Sequence, residues 1–444
     1  MPKPFGSTSP WAEPAWYSGR PSPYYTASHI KLRDWVRKWT EENVAGKEEE
    51  WEKIGKIPDE VYEKCARDGL LVPIAFGSRI PQDWGHYPIA AGIKAEEWNG
   101  FHDFILWDEL FRGAPSISSQ FIGLVVGAPP LKQYASPALQ AKILPEILSG
   151  KKRICLAITE PSAGSDVRSI TTTAEKTPDG KHYIVNGEKK MSTPSLMHAN
   201  LLMTSVLDHK WHFLRLFHVR TGGLGAAGMS MLLIPRLPGI KTRKIEIGGS
   251  SMSATTYITF EDVKVPAEYL VGQEGMGFKY TMSNFNHERL WIAFQGLRSS
   301  RICLEDAMSW CQKREAFGKT LIEQPVVRHK FGHMARQVDA LQAWIESLIY
   351  ELDNMSHAEA SKTLGGATGL LKVQAGIVAK YIADESQKLM GGLGLTKTGQ
   401  GARIEAIARS IPTLIVPGGS EDVLLDLGVR EAIKLSTAAK KAKL

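Results

Sequence analysis

A handful of short segments carry the residue types from which a reactive site could be built. Ile158-Thr-Glu-Pro-Ser-Ala-Gly-Ser-Asp-Val167 is a polar loop in which Gly164 would let backbone N–H groups approach anionic oxygens closely. Asn286-His-Glu-Arg-Leu290 sets a carboxylate, Glu288, beside the guanidinium of Arg289. Such a carboxylate is half of a solvated ion pair on a helix or, in dry surroundings, a general base. Arg314-Glu-Ala-Phe-Gly318 offers an arginine fork suited to pyrophosphate and the apolar face of Phe317. Gln387-Lys-Leu-Met-Gly-Gly392 and Pro417-Gly-Gly-Ser-Glu421 add two glycine pairs.

Other chemistries lack their parts. There is no Walker A loop, no GxSxG elbow and no HExxH helix, which removes the usual sequence basis for phosphoryl transfer, serine hydrolysis and zinc hydrolysis. Gly223-Leu-Gly-Ala-Ala-Gly228 matches GxGxxG, but a dinucleotide loop must open a helix, and Met231-Leu-Leu-Ile-Pro235 reads as a strand, so a hairpin loop is expected. Cys65, Cys155, Cys303 and Cys311 show neither CxxC nor CxxH spacing, so neither zinc nor a disulfide scaffold is expected, and no metal site is assigned. A net charge of +7 suits an anionic partner such as a nucleotide phosphate. The basic residues are dispersed, without a Lys/Arg stripe interleaved with aromatics, so nucleic acid is not the expected ligand.

The elements that would position these segments fall into three blocks. At 444 residues the chain exceeds what one core usually serves. Residues 1–25, rich in Pro, Ser, Trp and Tyr without a period, read as an extended N-terminal arm. Residues 26–152 read as an α-helical domain: Leu32, Trp35, Val36 and Trp39 fall at helical spacing, and helices are expected over 60–68, 104–111 and 137–148. Residues 153–274 hold short β-branched or apolar runs, 183–185, 214–219, 231–234 and 256–260, as strands do. Residues 275–438 return to long helical periods over 277–313, 325–354, 359–391 and 418–435, which would suit a four-helix bundle. Residues 439–444 are a basic tail. No run of about 18 apolar residues marks a membrane span.

In their order and spacing, the five segments resemble those of the acyl-CoA dehydrogenase family, over roughly residues 55 to 435. The resemblance implies a mostly α fold with a central β domain: N-terminal helices, a middle β-barrel and a C-terminal four-helix bundle. It implies FAD as cofactor, an acyl-CoA as substrate, and a homodimer or homotetramer whose FAD sites are shared between subunits.

In most members the base is a glutamate in a late Tyr-Glu-Gly-Thr motif; here Gly418 holds that place. Asn286-His-Glu-Arg-Leu290 is similar instead to the helix of the isovaleryl-CoA and long-chain members, where the glutamate has moved and the late motif carries glycine. Glu288 is therefore implied as the base that removes the α-proton, with hydride passing from Cβ to flavin N5, and the Gly418 N–H as donor to the thioester oxygen. His287, about 100° round a helix from Glu288, is left as structural.

By the same resemblance Ile158 and Thr159 contact the flavin, and Gly164 and Ser165 line its phosphate and CoA side. Thr193 lies near flavin N5, and Met191 stands where the family has a tryptophan over the ring. Arg314, Phe317 and Gln324, with Gln387, Gly391 and Gly392, hold the pyrophosphate and adenosine of a neighbouring subunit's FAD; Ser420 and Asp422 fall on the own-subunit stretch. Phe285, Arg289, Trp291 and Ile292, near Glu288, are candidates for the substrate pocket, or equally for core. Ala442-Lys443-Leu444 is a close variant of the peroxisomal tripeptide Ser-Lys-Leu, so a peroxisomal address is expected. With Met191 replacing the indole, it makes an O2-using oxidase of the same fold the alternative. A flavin-binding or nucleic-acid-binding homologue that does not desaturate is the rival from another class.

Overall fold

The computed structural model describes residues 5–84, 86–192, 212–252 and 255–441. Seven helices come first: α1 (Ala27–Asn43), α2 (Glu48–Ile54), α3 (Asp59–Arg67), α4 (Leu71–Phe76), α5 (Gly100–Gly113), α6 (Ser118–Tyr134) and α7 (Pro137–Leu148). Seven strands follow: β1 (Lys152–Ala157), β2 (Thr173–Lys176), β3 (His182–Ser192), β4 (His212–Arg220), β5 (Met229–Pro235), β6 (Ile240–Lys244) and β7 (Thr256–Pro266). Beyond them run α8 (Gly277–Cys311), the two-residue strands β8 (Glu315–Ala316) and β9 (Lys319–Thr320), then α9 (Pro325–Asp353), α10 (His357–Thr363), α11 (Gly365–Met390), α12 (Ala402–Ile415) and α13 (Glu421–Lys441).

The middle strands form one sheet in the order β1-β4-β2-β3-β7-β6, with β5 pairing to β4. Among the described residues this is a curled sheet, in the place where the resemblance implied the middle β domain. One face of β4, with Phe217 and Val219, belongs to the sheet's own core; the other, with Leu214 and Leu216, joins the core of the helices. That alternation is the two-residue period of a strand buried on both sides. The Gly223–Gly228 segment is the β4–β5 connection, as expected for a hairpin loop. All four cysteines are buried and none is in a disulfide.

The two helical blocks share a single apolar core. In α1, Leu32, Val36 and Trp39 are buried and Trp35 half-buried. Trp107 of α5 lies edge-on to Trp291 of α8, with ring centroids 5.4 Å apart. α8 packs most extensively on α11 and also touches α5, α6, α9 and α12, so a residue near its middle is surrounded by protein. Among the described residues no helix is long and apolar enough to cross a membrane.

The expected extended arm differs in the structure. Residues 5–25 fold back as a strap whose 3-10 turn, Ala15–Ser18, buries Tyr17. The cause is electrostatic. Arg298 and Arg301 of α8 are fully buried and need acceptors. The strap supplies them: Arg298 donates to the Ala12 carbonyl (3.0 Å) and to Glu13 (3.1 Å), and Arg301 to the Trp11 carbonyl (2.7 Å). Glu13 also accepts from Arg37 of α1 at 2.8 Å.

Candidate active site

Glu288 sits about a third of the way along the 35-residue α8 and is only 7% exposed. Burial pushes its carboxyl up to about 7, against the opposing pull of Arg289, Lys372 and His287. Across from it lies the turn between α12 and α13. Gly418 there has φ 71°, in the left-handed region that glycine alone enters without strain. A Cβ on Gly418 would stand 3.0 Å from Ile292 Cδ1 and 3.8 Å from Glu288 Oε1. The carboxylate therefore reaches the place from which a side chain at 418 would start.

Two cations fix this turn by its carbonyls. Arg289 Nε donates to the Gly418 carbonyl at 3.1 Å. Lys372 of α11 donates to the Gly419 carbonyl at 2.8 Å and to the Ile415 carbonyl at the end of α12. No described residue accepts from the Gly418 N–H. The arrangement can hold a proton on Glu288 and offer an amide donor beside it.

The other residues implied near Glu288 divide. Arg289 is buried with its guanidinium 5.7 Å from the half-buried Phe285 ring, and Ile292 faces Gly418. Trp291 is placed in the aromatic core, 5.4 Å from Trp107 and 5.9 Å from Phe111 between centroids. His287 Nε2 lies 3.5 Å from Asp103 Oδ2 on α5.

The loop after β1 is anchored from beneath. Glu160 is buried and accepts from Lys189 Nζ at 2.6 Å and from the Thr172 N–H at 3.1 Å. Burial alone would raise this carboxyl; Lys189 and the Thr171 and Thr172 donors outweigh it and hold it below the usual carboxylate range. Lys189 also donates to the Ile158 carbonyl (3.0 Å), and the Lys190 N–H to the Thr159 carbonyl (2.9 Å). Ile158 and Thr159 are thus pinned to β3, whereas Gly164 and Ser165 are exposed. A Cβ on Gly164 would meet no atom within 4 Å, so its backbone is open to a ligand. Met191 lies on β3, and Thr193 lies outside the described residues.

The remaining implied cofactor residues are on the molecular surface. Arg314 is exposed at the start of the β8–β9 hairpin, and Phe317 at its tip is 96% exposed with φ 54°. Gln324 donates to the Ala316 carbonyl at 3.4 Å, bracing the hairpin. Gln387 donates to the Gly394 carbonyl at 3.1 Å, and Gly391 and Gly392 are exposed just past α11. Ser420 accepts the Leu424 N–H through its carbonyl at 3.0 Å, and Asp422 is exposed on the first turn of α13.

Comparison with known proteins decides the family. The N-terminal, middle and C-terminal domain models of acyl-CoA dehydrogenases match residues 26–151, 155–263 and 275–433. The chain belongs to the acyl-CoA dehydrogenase family. It is 43% identical over 443 residues to acyl-CoA dehydrogenase apdG of Emericella nidulans, covering 98% of each chain. It is 27% identical to the mitochondrial long-chain specific acyl-CoA dehydrogenase of Sus scrofa, covering 92% of this chain and 87% of that one. The crystal structure of an acyl-CoA dehydrogenase from Geobacillus kaustophilus superposes with a TM-score of 0.80 at 26% identity, covering 93% of this chain and all of the other. An acyl-CoA dehydrogenase fold of helical, sheet and helical domains, and an oxidoreductase, are what the sequence led us to expect.

Two features of the candidate site escaped the sequence reading. Lys372 was one; the signal was present, since Thr368, Lys372, Ala375 and Ala379 fall on one helical stripe whose other members are small or apolar. The Glu160–Lys189 pair was the other, with Glu160 inside a quoted motif and Lys189 in a polar run that conceals its burial.

Proposed function

We propose that this chain is an FAD-dependent dehydrogenase that converts an acyl-CoA thioester to the trans-2-enoyl-CoA, with Glu288 as the base. The observation that carries this is the buried carboxyl of Glu288 against the side-chain-free Gly418. Burial holds its affinity for a proton near neutrality, where a base can accept the α-proton and later release it. The Gly418 N–H, in a turn held at the Ile415, Gly418 and Gly419 carbonyls, serves as donor to the thioester oxygen and lowers the cost of the charge that develops there. When bound, FAD supplies the two-electron acceptor for the hydrogen on Cβ, which no side chain can provide.

The residues present fit that cofactor. Ile158 and Thr159 offer an edge pinned to β3, and the open Gly164 backbone beside Ser165 leaves room for phosphate. Arg314, Phe317 and Gln324, with Gln387, Gly391 and Gly392, would hold the FAD of a second copy, which accounts for a phenylalanine left 96% exposed. Val326, Ile377, Val429 and Ile433 are exposed as well, as a homo-oligomer would require.

The test is anaerobic mixing of the FAD-loaded protein with a series of acyl-CoA thioesters. Bleaching of the flavin with formation of an enoyl-CoA is expected for at least one. A protein that takes up no FAD, or is bleached by none of them, would overturn the reading.

A further inference from the structure

We propose that Lys372 is a positioning residue for this reaction: from α11 it ties down the carbonyls on both sides of Gly418 and sets a positive charge beside Glu288. The inference rests on Glu288 being the base, and deepens that reading.

Lys372 is 2% exposed, and an ammonium is rarely buried unless its environment uses it. Its two acceptors are the Ile415 carbonyl, in the last turn of α12, and the Gly419 carbonyl, one residue beyond the oxyanion donor. The first is a helix-terminal C=O without an intrahelical partner, where a cation is favourable. The second, with the Gly418 carbonyl held by Arg289, leaves the carbonyls of the turn engaged with cations. The Gly418 N–H belongs to the Pro417–Gly418 peptide, which lies between the two carbonyls that Lys372 holds, so the chain is tied down on both sides of the donor. Lys372 and Arg289 thereby aim the donor without touching the substrate.

The charge has a second effect. The groups facing Glu288 are Arg289 and His287 from its own helix and Lys372 from α11, all favouring the ionised carboxylate, while burial opposes it. Glu421, at the start of α13, faces Lys372 and favours its protonated form. Lys372 and Arg289 thus offset part of the burial that would otherwise raise this carboxyl further. Burial lowers the Lys372 ammonium to about 8, still above neutrality.

The experiment is a pH titration of the FAD-loaded protein by infrared difference spectroscopy, with the Glu288 carboxyl band assigned by its absence in Glu288→Gln. In Lys372→Met the midpoint is expected to rise by about one unit, as for the loss of a nearby opposite charge. Lys372→Arg should restore it to within half of that shift. Where the methionine variant does not retain FAD, Lys372→Gln is read the same way. A midpoint unchanged in the neutral variants, or displaced equally by arginine, would overturn the proposal. Failure of the base assignment is seen separately, as full flavin reduction by acyl-CoA in Glu288→Gln, and leaves the titration readable.

Discussion

Glu288 and Gly418 meet across the joint between α8 and the α12–α13 turn: the carboxylate oxygen lies 3.8 Å from where a Cβ at 418 would be. A base can therefore reach one point in space from either of two sequence positions 130 residues apart, provided that the other is empty. In this chain α8 brings a carboxylate to that point and the late turn has no side chain there.

Replacing Glu288 by Gln keeps shape and hydrogen bonding and removes the base. Acyl-CoA binding is expected to persist while flavin reduction falls by at least about a hundredfold. Stopped-flow absorbance beside equilibrium binding checks this, and equal reduction rates in variant and parent would place the base elsewhere.

The raised carboxyl of Glu288 also sets a stability trend. Its folded value, about 7, lies above the ordinary 4.5, so between these pH values the folded state binds more protons than the unfolded one. Stability contributed by this site is then present below about 4.5 and lost as pH rises through 7. Glu288→Gln should be more stable than the parent at pH 8, by on the order of 2–3 kcal/mol, and equal to it near pH 4.5. Denaturant melts at the two pH values test the sign, and an advantage that is independent of pH would contradict it.

Gly418→Ala introduces a side chain into a left-handed residue 3.0 Å from Ile292 Cδ1. A loss of roughly 1–2 kcal/mol is expected from the backbone alone. Flavin reduction should fall further than FAD content does, since the amide donor moves while the cofactor loop does not. Reduction rate per bound FAD is the quantity to measure.

Lys189→Met would leave the buried Glu160 without its cation. Roughly 3–5 kcal/mol of destabilisation is expected, as for other broken buried pairs. FAD retention should fall with it, because the same ammonium holds the Ile158 carbonyl. The double variant Glu160→Gln with Lys189→Met should recover part of the stability, measured by thermal melts of all three proteins.

Arg314→Ala is expected to lower FAD retention and weaken the oligomer together, because a pyrophosphate bridging two copies links assembly to cofactor binding. Sedimentation with and without added FAD checks this. FAD loss with assembly untouched would place Arg314 in its own subunit's site.

Much of the fold was legible wherever periodicity and burial agree. The expected helix over 137–148 is α7 to the residue, and 277–313 and 325–354 are α8 and α9 within two residues at each end. α6 was missed because nearly its whole circumference is buried, leaving no amphipathic face, and because Pro129 and Pro130 sit inside it. α12 hides behind Pro412 in the same way. The strap was misread since its order comes from Arg298 and Arg301, partners too distant in sequence for any local pattern. At the candidate site, motifs named the implied site residues, while of the residues that hold those segments in place Lys372 left a trace as a lone charge on a small and apolar stripe and Lys189 emerges only from its burial.

The strap's bonds span sequence separations of 285 to 290 residues, from Glu13, Ala12 and Trp11 to α8. Glu13 meets Arg37 of α1 over a short separation, whereas its bond to Arg298, like those of Ala12 and Trp11 to α8, must wait for α8 to be made. The strap can thus lie on the N-terminal helices first, and its closure onto α8 is a later, long-range step of the kind that slows folding. Until then the strap is held by α1 and α5 alone, through Phe5 under Arg33, Glu13 with Arg37 and Tyr17 with Glu109.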